Sequence, residues 1–194
     1  MHTIDLLSCD ERAVRASVTV VGRISRSDLS RPTPCAEWDL AALLAHMTAQ
    51  HRGFAAAAAG HGDDPGVWEP RPLADDHARA YAEAAEAAID AFAANDLDLL
   101  LPEIAATPIP RRLAIGFHLV DNVVHGWDVA SALGVGYALP DDVLAAALPI
   151  AEAVPDGPSR LGPGAAFAPR LPDPGGSPLD RILTLLGRDV VPRR

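Results

Sequence analysis

Apolar residues recur at helical spacing in several long stretches of the chain, and no stretch shows the period-two alternation typical of a strand. The clearest helical stretches span residues 4–25, 40–59, 75–94 and 110–133. Aromatic residues make up only 5 % of the chain, so the interior must be built mainly from Ala, Leu and Val, which favours closely packed helices. We therefore predict an all-α protein with a bundle of four main helices.

The ends of several helices are marked by residues with defined capping roles. Asp39 can cap the second helix, and Ser177, followed by Pro178, predicts the start of a short last helix that stops at Gly187. Pro140 fits the first turn of a fifth helix. Pro149 lies further along this helix and should kink it or end it early.

The distribution of proline and glycine divides the chain in two. We predict a helical bundle over residues 1–154 and a C-terminal extension over residues 155–194 that packs on the bundle. The stretch 155–176 is so rich in Pro and Gly that an ordered coil or short extended pieces are expected there, before the terminal helix.

The overall charge excludes two classes of partner. A formal net charge of −10 repels phosphate backbones and anionic lipid surfaces, so neither a nucleic acid nor a membrane is expected as a partner. The first residues have neither a basic start nor an apolar run of signal-peptide length, which predicts a cytoplasmic location. In that compartment Cys9 and Cys35 are expected as thiols, not as a disulfide.

The fourth helix carries the most informative pattern. At about 100° per residue, its polar residues His118, Asp121, His125 and Asp128 fall within one narrow arc, while most of the circumference is apolar. One interpretation is that these residues, with Asn122, form a solvated strip. The other is that they converge on a ligand, because the strip holds only short acids, an amide and imidazoles in place of long flexible chains.

Asp121 and His125 lie four residues apart and can chelate one cation from adjacent turns. Imidazole nitrogen and carboxylate oxygen suit Zn²⁺, and also Ni²⁺ and other first-row metals. One helix rarely offers three ligands, so the third should come from a facing helix, as in other bundles with metal centres. His46, at the margin of an apolar stripe, is the best candidate.

Two other residues compete for the third position. His51 follows His46 by five residues, an offset of roughly 140° at helical pitch, so both cannot readily face one ion. A histidine in an apolar stripe is more often a packed, hydrogen-bonded core residue. Cys35 is the other competitor, because a thiolate binds Zn²⁺ well.

Three segments of the chain together resemble a known family. They are TPCAEWDLAALLAHM (33–47), DNVVHGWDVASALG (121–134) and LLGRD (185–189). The chain resembles the metal-binding relatives of mycothiol-dependent maleylpyruvate isomerase, within the DinB-like four-helix-bundle superfamily. The likeness covers almost the whole chain in order.

The resemblance implies a metal site made of His46, Asp121 and His125, the same three residues that the helical spacing favours. The isomerase itself has Glu at the acid position, and its long C-terminal domain is reduced here to residues 155–194. Related bundles often pair, so a homodimer is also expected.

Around these ligands, His118 and Asp128 are candidates for hydrogen-bonding partners of a metal-bound imidazole, although Asp128 could equally be an exposed acid. Trp38 and Trp127 are expected to be packing residues, with a ligand-lining role as the alternative. The sequence identifies no general acid or base and no cofactor-binding residue.

Three protein ligands leave a fourth position open, which is the arrangement of catalytic zinc. The first hypothesis is therefore a metal-dependent thiol transferase or isomerase, in which the metal ionises mycothiol or a similar thiol that adds to an electrophilic substrate. The second hypothesis is a metal-binding or regulatory bundle without turnover. A hydrolase that uses metal-bound hydroxide ranks third.

Overall fold

The computed structural model describes residues 5–35, 38–162, 165–173 and 175–190. In these ranges the chain is helical and forms no strand beyond two isolated bridges, which confirms the all-α prediction. None of the helices described combines the length and apolar character needed to cross a bilayer. The helices are α1 (Leu6–Val21), α2 (Leu40–Ala58), α3 (His77–Ala94), α4 (Arg111–Leu133), α5 (Asp141–Ala153) and α6 (Pro178–Leu185).

The predicted caps are present. The Asp39 carboxylate accepts a hydrogen bond from the Ala42 amide at 2.9 Å and so begins α2. Ser177 and Asp180 form a reciprocal capping box at the start of α6. Gly187 follows that helix with a positive φ of 78°, a conformation that glycine adopts at little cost.

Helix α5 differs from its prediction, because it continues through Pro149 to Ala153. The proline removes one backbone donor, whose usual acceptor would be the carbonyl of Ala145. Both Pro149 and Ala145 lie on the exposed side of the helix, so water can satisfy that carbonyl. The buried Ala147 and Ala151 hold the two halves of α5 against the bundle.

Helix α4 lies in the centre of the bundle, and its polar residues are mostly withdrawn from water. His118, Asn122, His125 and Asp128 are all buried. The interpretation of this arc as a solvated strip is therefore wrong. Each of these groups must find a partner inside the protein, because an unpaired buried polar group is costly.

A buried arginine side chain links the parts of the C-terminal segment to one another. Arg160 is 5 % exposed and donates hydrogen bonds to the backbone carbonyls of Pro155, Ala168 and Leu185. These bonds join the coil after α5 to the end of α6. The division of the chain at residues 154 and 155 remains a prediction.

Gly126 allows a close contact at the C-terminal half of α4. A β-carbon at this position would lie 2.2 Å from the Tyr137 hydroxyl and 2.6 Å from its Cζ atom. The same hydroxyl donates a hydrogen bond to the Asn122 carbonyl at 3.2 Å, so the ring is held against the helix. The glycine beside His125 is thus needed for packing.

This contact leads to a prediction for the Gly126→Ala variant. The added methyl group must displace a packed ring at a cost of about 1–3 kcal/mol, partly offset by up to about 1 kcal/mol of helix propensity. We expect the free energy of unfolding, measured by urea titration, to fall by about 1–2 kcal/mol. Gly136→Ala is the matched control, because no atom lies within 4 Å of its added β-carbon. Equal stability of the two variants would contradict this account.

Candidate metal centre

Helices α2 and α4 bring together the three side chains singled out in the sequence. His46 Nε2 lies 3.9 Å from Asp121 Oδ1, and His125 Nε2 lies 3.5 Å from the same oxygen. The two imidazole rings meet edge to face, with centroids 5.2 Å apart. Each residue offers one ligand atom to a group whose members all lie within 4.8 Å of one another.

These separations suit a metal ion better than a direct hydrogen-bonded cluster. Ligand atoms about 2.0–2.2 Å from a tetrahedral ion are separated from one another by roughly 3.4 Å. The two Nε2–Oδ1 distances of 3.5 and 3.9 Å lie near this value and exceed ordinary hydrogen-bond lengths. The donor set, two nitrogens and one carboxylate oxygen, is one that zinc and other first-row metals accept.

The group is reachable from solvent and, within the part of the chain that the structure describes, is not closed by a fourth His, Cys, Asp or Glu. The side chains of His46, Asp121 and His125 are 22 %, 25 % and 10 % exposed. Among the residues described, no further His, Cys, Asp or Glu belongs to the group, so neither His51 nor Cys35 is a member. An ion held there would keep a position open for an external ligand.

The surroundings of Asp121 keep its carboxyl group ionised. Burial alone would raise the pKa of this carboxyl, but the neighbouring imidazoles of His125 and His46 outweigh burial and lower it well below its usual range. Asp121 is therefore ionised at neutral pH, and a carboxylate must be ionised to coordinate a metal.

His125 is oriented by a buried ion pair. Its Nδ1–H donates to Asp128 Oδ2 at 2.9 Å, which turns Nε2 toward Asp121. Asp128 also accepts from Arg188 Nη2 at 3.0 Å and from Arg188 Nε at 3.3 Å. The side chains of Asp128 and Arg188 are only 0 % and 4 % exposed, so Asp128 is not an exposed acid.

Burial by itself would raise the pKa of Asp128, yet the hydrogen bond from His125 and the charge of Arg188 lower it below its ordinary value. The carboxylate therefore stays ionised and accepts the imidazole proton. This pairing fixes the tautomer of His125 and makes its free nitrogen a better ligand.

Trp38 lies beside the centre, whereas Trp127 does not contact its rings. The Trp38 ring centroid is 4.5 Å from that of His46 and 6.1 Å from that of His125. Trp38 is half-buried and packs against the apolar core, so it is both a packing residue and one wall of the centre. Trp127 packs against the core.

His118 and His51 form a separate buried pair. His118 bonds Asp10 Oδ1 through Nδ1 and His51 Nδ1 through Nε2, at 2.8 and 2.9 Å. His51 bonds the Tyr81 hydroxyl at 3.0 Å. His51 is thus the packed core histidine that its apolar stripe favours, and His118 does not support His125.

Sequence reasoning missed the roles of Arg188, Asp10 and Tyr81. Arg188 stands in the LLGRD segment after the end of α6 and beside Asp189, and no local signal in the sequence marks it as the partner of Asp128. Asp10 lies on the buried face of α1, where a lone acid in an apolar stripe indicates an internal partner. Tyr81 lies in the core, where its hydroxyl requires a partner.

The buried pair generates a prediction for the Asp128→Asn variant. Asparagine removes the charge that supports His125 and leaves Arg188 without a counter-ion. We expect the affinity for Zn²⁺, measured by competition with a chromophoric chelator, to fall about 10- to 100-fold.

The control for this measurement is Asp142→Asn. Asp142 is an exposed carboxylate paired with Arg12 at 2.7 Å, outside the centre. Its substitution should leave the affinity unchanged. A folded Asp128→Asn protein that binds Zn²⁺ as tightly as the parent chain would show that this carboxylate does not support the ligand.

Comparison with known proteins agrees with this architecture. The family model described as mycothiol maleylpyruvate isomerase N-terminal domain, a DinB-like domain, matches residues 11–130. Two uncharacterised proteins of Mycobacterium tuberculosis, from strains CDC 1551 and H37Rv, are each 30 % identical to the chain over 193 residues. Each alignment covers 96 % of this chain and 100 % of the relative.

No solved structure matches the chain. The family match spans α2, α3 and nearly all of α4, and so contains all three side chains of the candidate centre. The chain therefore belongs to the family of the mycothiol maleylpyruvate isomerase N-terminal domain.

Proposed function

We propose that this protein is a metal-dependent thiol transferase or isomerase that uses mycothiol or a similar low-molecular-weight thiol. His46, Asp121 and His125 would hold the divalent ion. The ion, when bound, would supply the positive charge that ionises a coordinated thiol at neutral pH. The resulting nucleophile would add to an electrophilic small-molecule substrate.

The single observation that carries this proposal is the composition and geometry of the three-residue group. Two imidazoles and one carboxylate surround one point, and no fourth protein donor among the described residues joins them. Catalytic zinc sites have three protein ligands and one open position, whereas structural sites have four protein ligands. The partial exposure of the ligands supports access for an external thiol.

The residues around the three ligands would orient them for metal binding and shield one side of the site from water. Asp128 and Arg188 hold the His125 ring in place, so its Nε2 atom faces Asp121 without reorientation. The Trp38 indole lies against His46 and excludes water from one side. An apolar wall beside the centre also suits the carbon skeleton of a bound substrate.

The metal is expected to be zinc, with nickel or another first-row ion as the alternative. Aspartate at position 121 has a shorter side chain than the glutamate of the isomerase, which supports a difference in substrate or metal between the two proteins. The formal charge of −10 supports a small-molecule enzyme and disfavours a nucleic-acid partner. We also propose a cytoplasmic location and a homodimer.

A metal-binding bundle without turnover is the second candidate. The sequence marks no general acid or base for a reaction at the centre, which favours this alternative. The two functions share the metal site and differ only in whether a thiol reacts there.

The proposal is tested by measuring the loss of free thiol. Purified protein loaded with Zn²⁺ is mixed with mycothiol and a small alkylating fluorophore, and thiol consumption is followed above the uncatalysed rate. We expect catalysis by the loaded protein and none after chelation. His46→Ala and Asp121→Ala should each lose it, because removing a ligand should weaken Zn²⁺ binding by at least about 100-fold, more than the loss of an outer partner.

His61→Ala is the matched control, since His61 is exposed and lies outside the group. This variant should retain both Zn²⁺ affinity and thiol consumption. Tight Zn²⁺ binding without consumption of any thiol would support the non-catalytic bundle. A parent protein that binds no divalent metal would overturn both functions.

A further inference from the structure

A continuous chain of buried hydrogen bonds crosses the bundle and joins its first four helices. Asp10 of α1 bonds His118 of α4 at 2.8 Å, and His118 bonds His51 of α2 at 2.9 Å. His51 bonds the Tyr81 hydroxyl of α3 at 3.0 Å, and that hydroxyl bonds Ser17 of α1 at 2.7 Å. All five residues are at most 1 % exposed.

Each imidazole in this chain uses both of its nitrogens, and each nitrogen has one partner. His118 bonds Asp10 through Nδ1 and His51 through Nε2. His51 bonds His118 through Nδ1 and the Tyr81 hydroxyl through Nε2. Burial lowers the pKa of His51 and raises that of Tyr81, so His51 is neutral and Tyr81 keeps its proton.

The His51–His118 bond joins the same two helices that supply the candidate ligands. His51 follows His46 by five residues on α2, and His118 precedes Asp121 by three residues on α4. The bond lies inside the core, where the rings of Phe54 and Phe92 pack against His118 at centroid distances of 4.7 and 5.3 Å. Water is therefore a poor substitute for either partner.

The centre depends on the spacing of α2 and α4, because α2 supplies one donor and α4 supplies two. A shift between the helices would move His46 away from Asp121 and His125 while leaving the pair on α4 intact. A displacement of one ligand by about 1 Å is enough to impair a preorganised site. Backbone bonds within each helix cannot prevent such a shift, so side chains must.

We propose that the His51–His118 hydrogen bond is a positioning device that sets the separation of α2 and α4 for metal binding. Neither histidine touches the metal, and both act through the ligands on their own helices. This inference rests on the metal site of the proposed function and adds to it two residues outside the ligand set.

Paired amide substitutions at His51 test the proposal. The amide of Asn can place its nitrogen or its oxygen where His Nδ1 stands, and the amide of Gln can do so where Nε2 stands, so each can donate or accept as its partner requires. His51→Asn therefore keeps the bond to His118 and loses the bond to Tyr81. His51→Gln keeps the bond to Tyr81 and loses the bond to His118. Both are amides that break one bond, so their stabilities should be similar.

We expect His51→Asn to bind Zn²⁺ with an affinity close to that of the parent protein. His51→Gln should bind about 10-fold more weakly or worse, the size of effect typical of residues that support ligands. Affinity is measured with Zn²⁺ alone by chelator competition, and circular dichroism checks the fold. Tyr81→Phe removes the bonds of this hydroxyl to His51 and to Ser17 but keeps the His51–His118 bond, so its Zn²⁺ affinity should match that of His51→Asn.

The order must reverse at His118, which provides a second independent test. His118→Gln keeps the bond to His51, and His118→Asn keeps only the bond to Asp10. At position 118 the Gln variant should therefore bind Zn²⁺ more tightly than the Asn variant, whereas at position 51 the Asn variant should bind it more tightly. If one pair fails to fold, the other pair decides.

Equal Zn²⁺ affinities of the Asn and Gln variants at both positions would overturn the positioning role while leaving the metal site in place. So would tighter binding by the same one of the two amides at both positions. Failure of the parent protein to bind Zn²⁺ would instead overturn the proposed function, and this inference with it. The two failures are thus distinguished by the parent titration.

Discussion

The rest of the structure depends on the contact between α2 and α4, because polar groups on a buried helix must be satisfied by its neighbours. The polar arc of α4 meets this requirement in two ways. His118 and Asn122 are bonded within the core, whereas Asp121 and His125 lie at its edge beside His46. The same helix thus has a sealed polar layer and an accessible one, a few residues apart.

Much of this arrangement was predictable from local signals. Helical periodicity, the Asp39 and Ser177 caps and the four-residue spacing of Asp121 and His125 all concern near neighbours in sequence. His46 was also predictable, because a facing helix had to complete the group. The path of α5 through Pro149 was not, since it depends on which side of the helix faces water.

The partners of buried groups could not be read from the sequence. The sequence fits two interpretations of Asp128 equally well, and only its contact with Arg188, 60 residues later, decides between them. His51 and His118 are likewise 67 residues apart, and neither carries a local sign of the other. Such pairs depend on how the helices pack, and residue spacing along a single helix does not show which residues of another helix it contacts.

The Asp128–Arg188 ion pair has a consequence for the order in which the protein matures. Arg188 follows α6, so the support for His125 is absent until the last described turn of the chain docks on the bundle. In a chain whose segment after α6 has not yet docked, the Asp128 carboxylate that orients His125 lacks its arginine partner. An ion at the candidate centre would therefore be held most tightly only once that segment is in place.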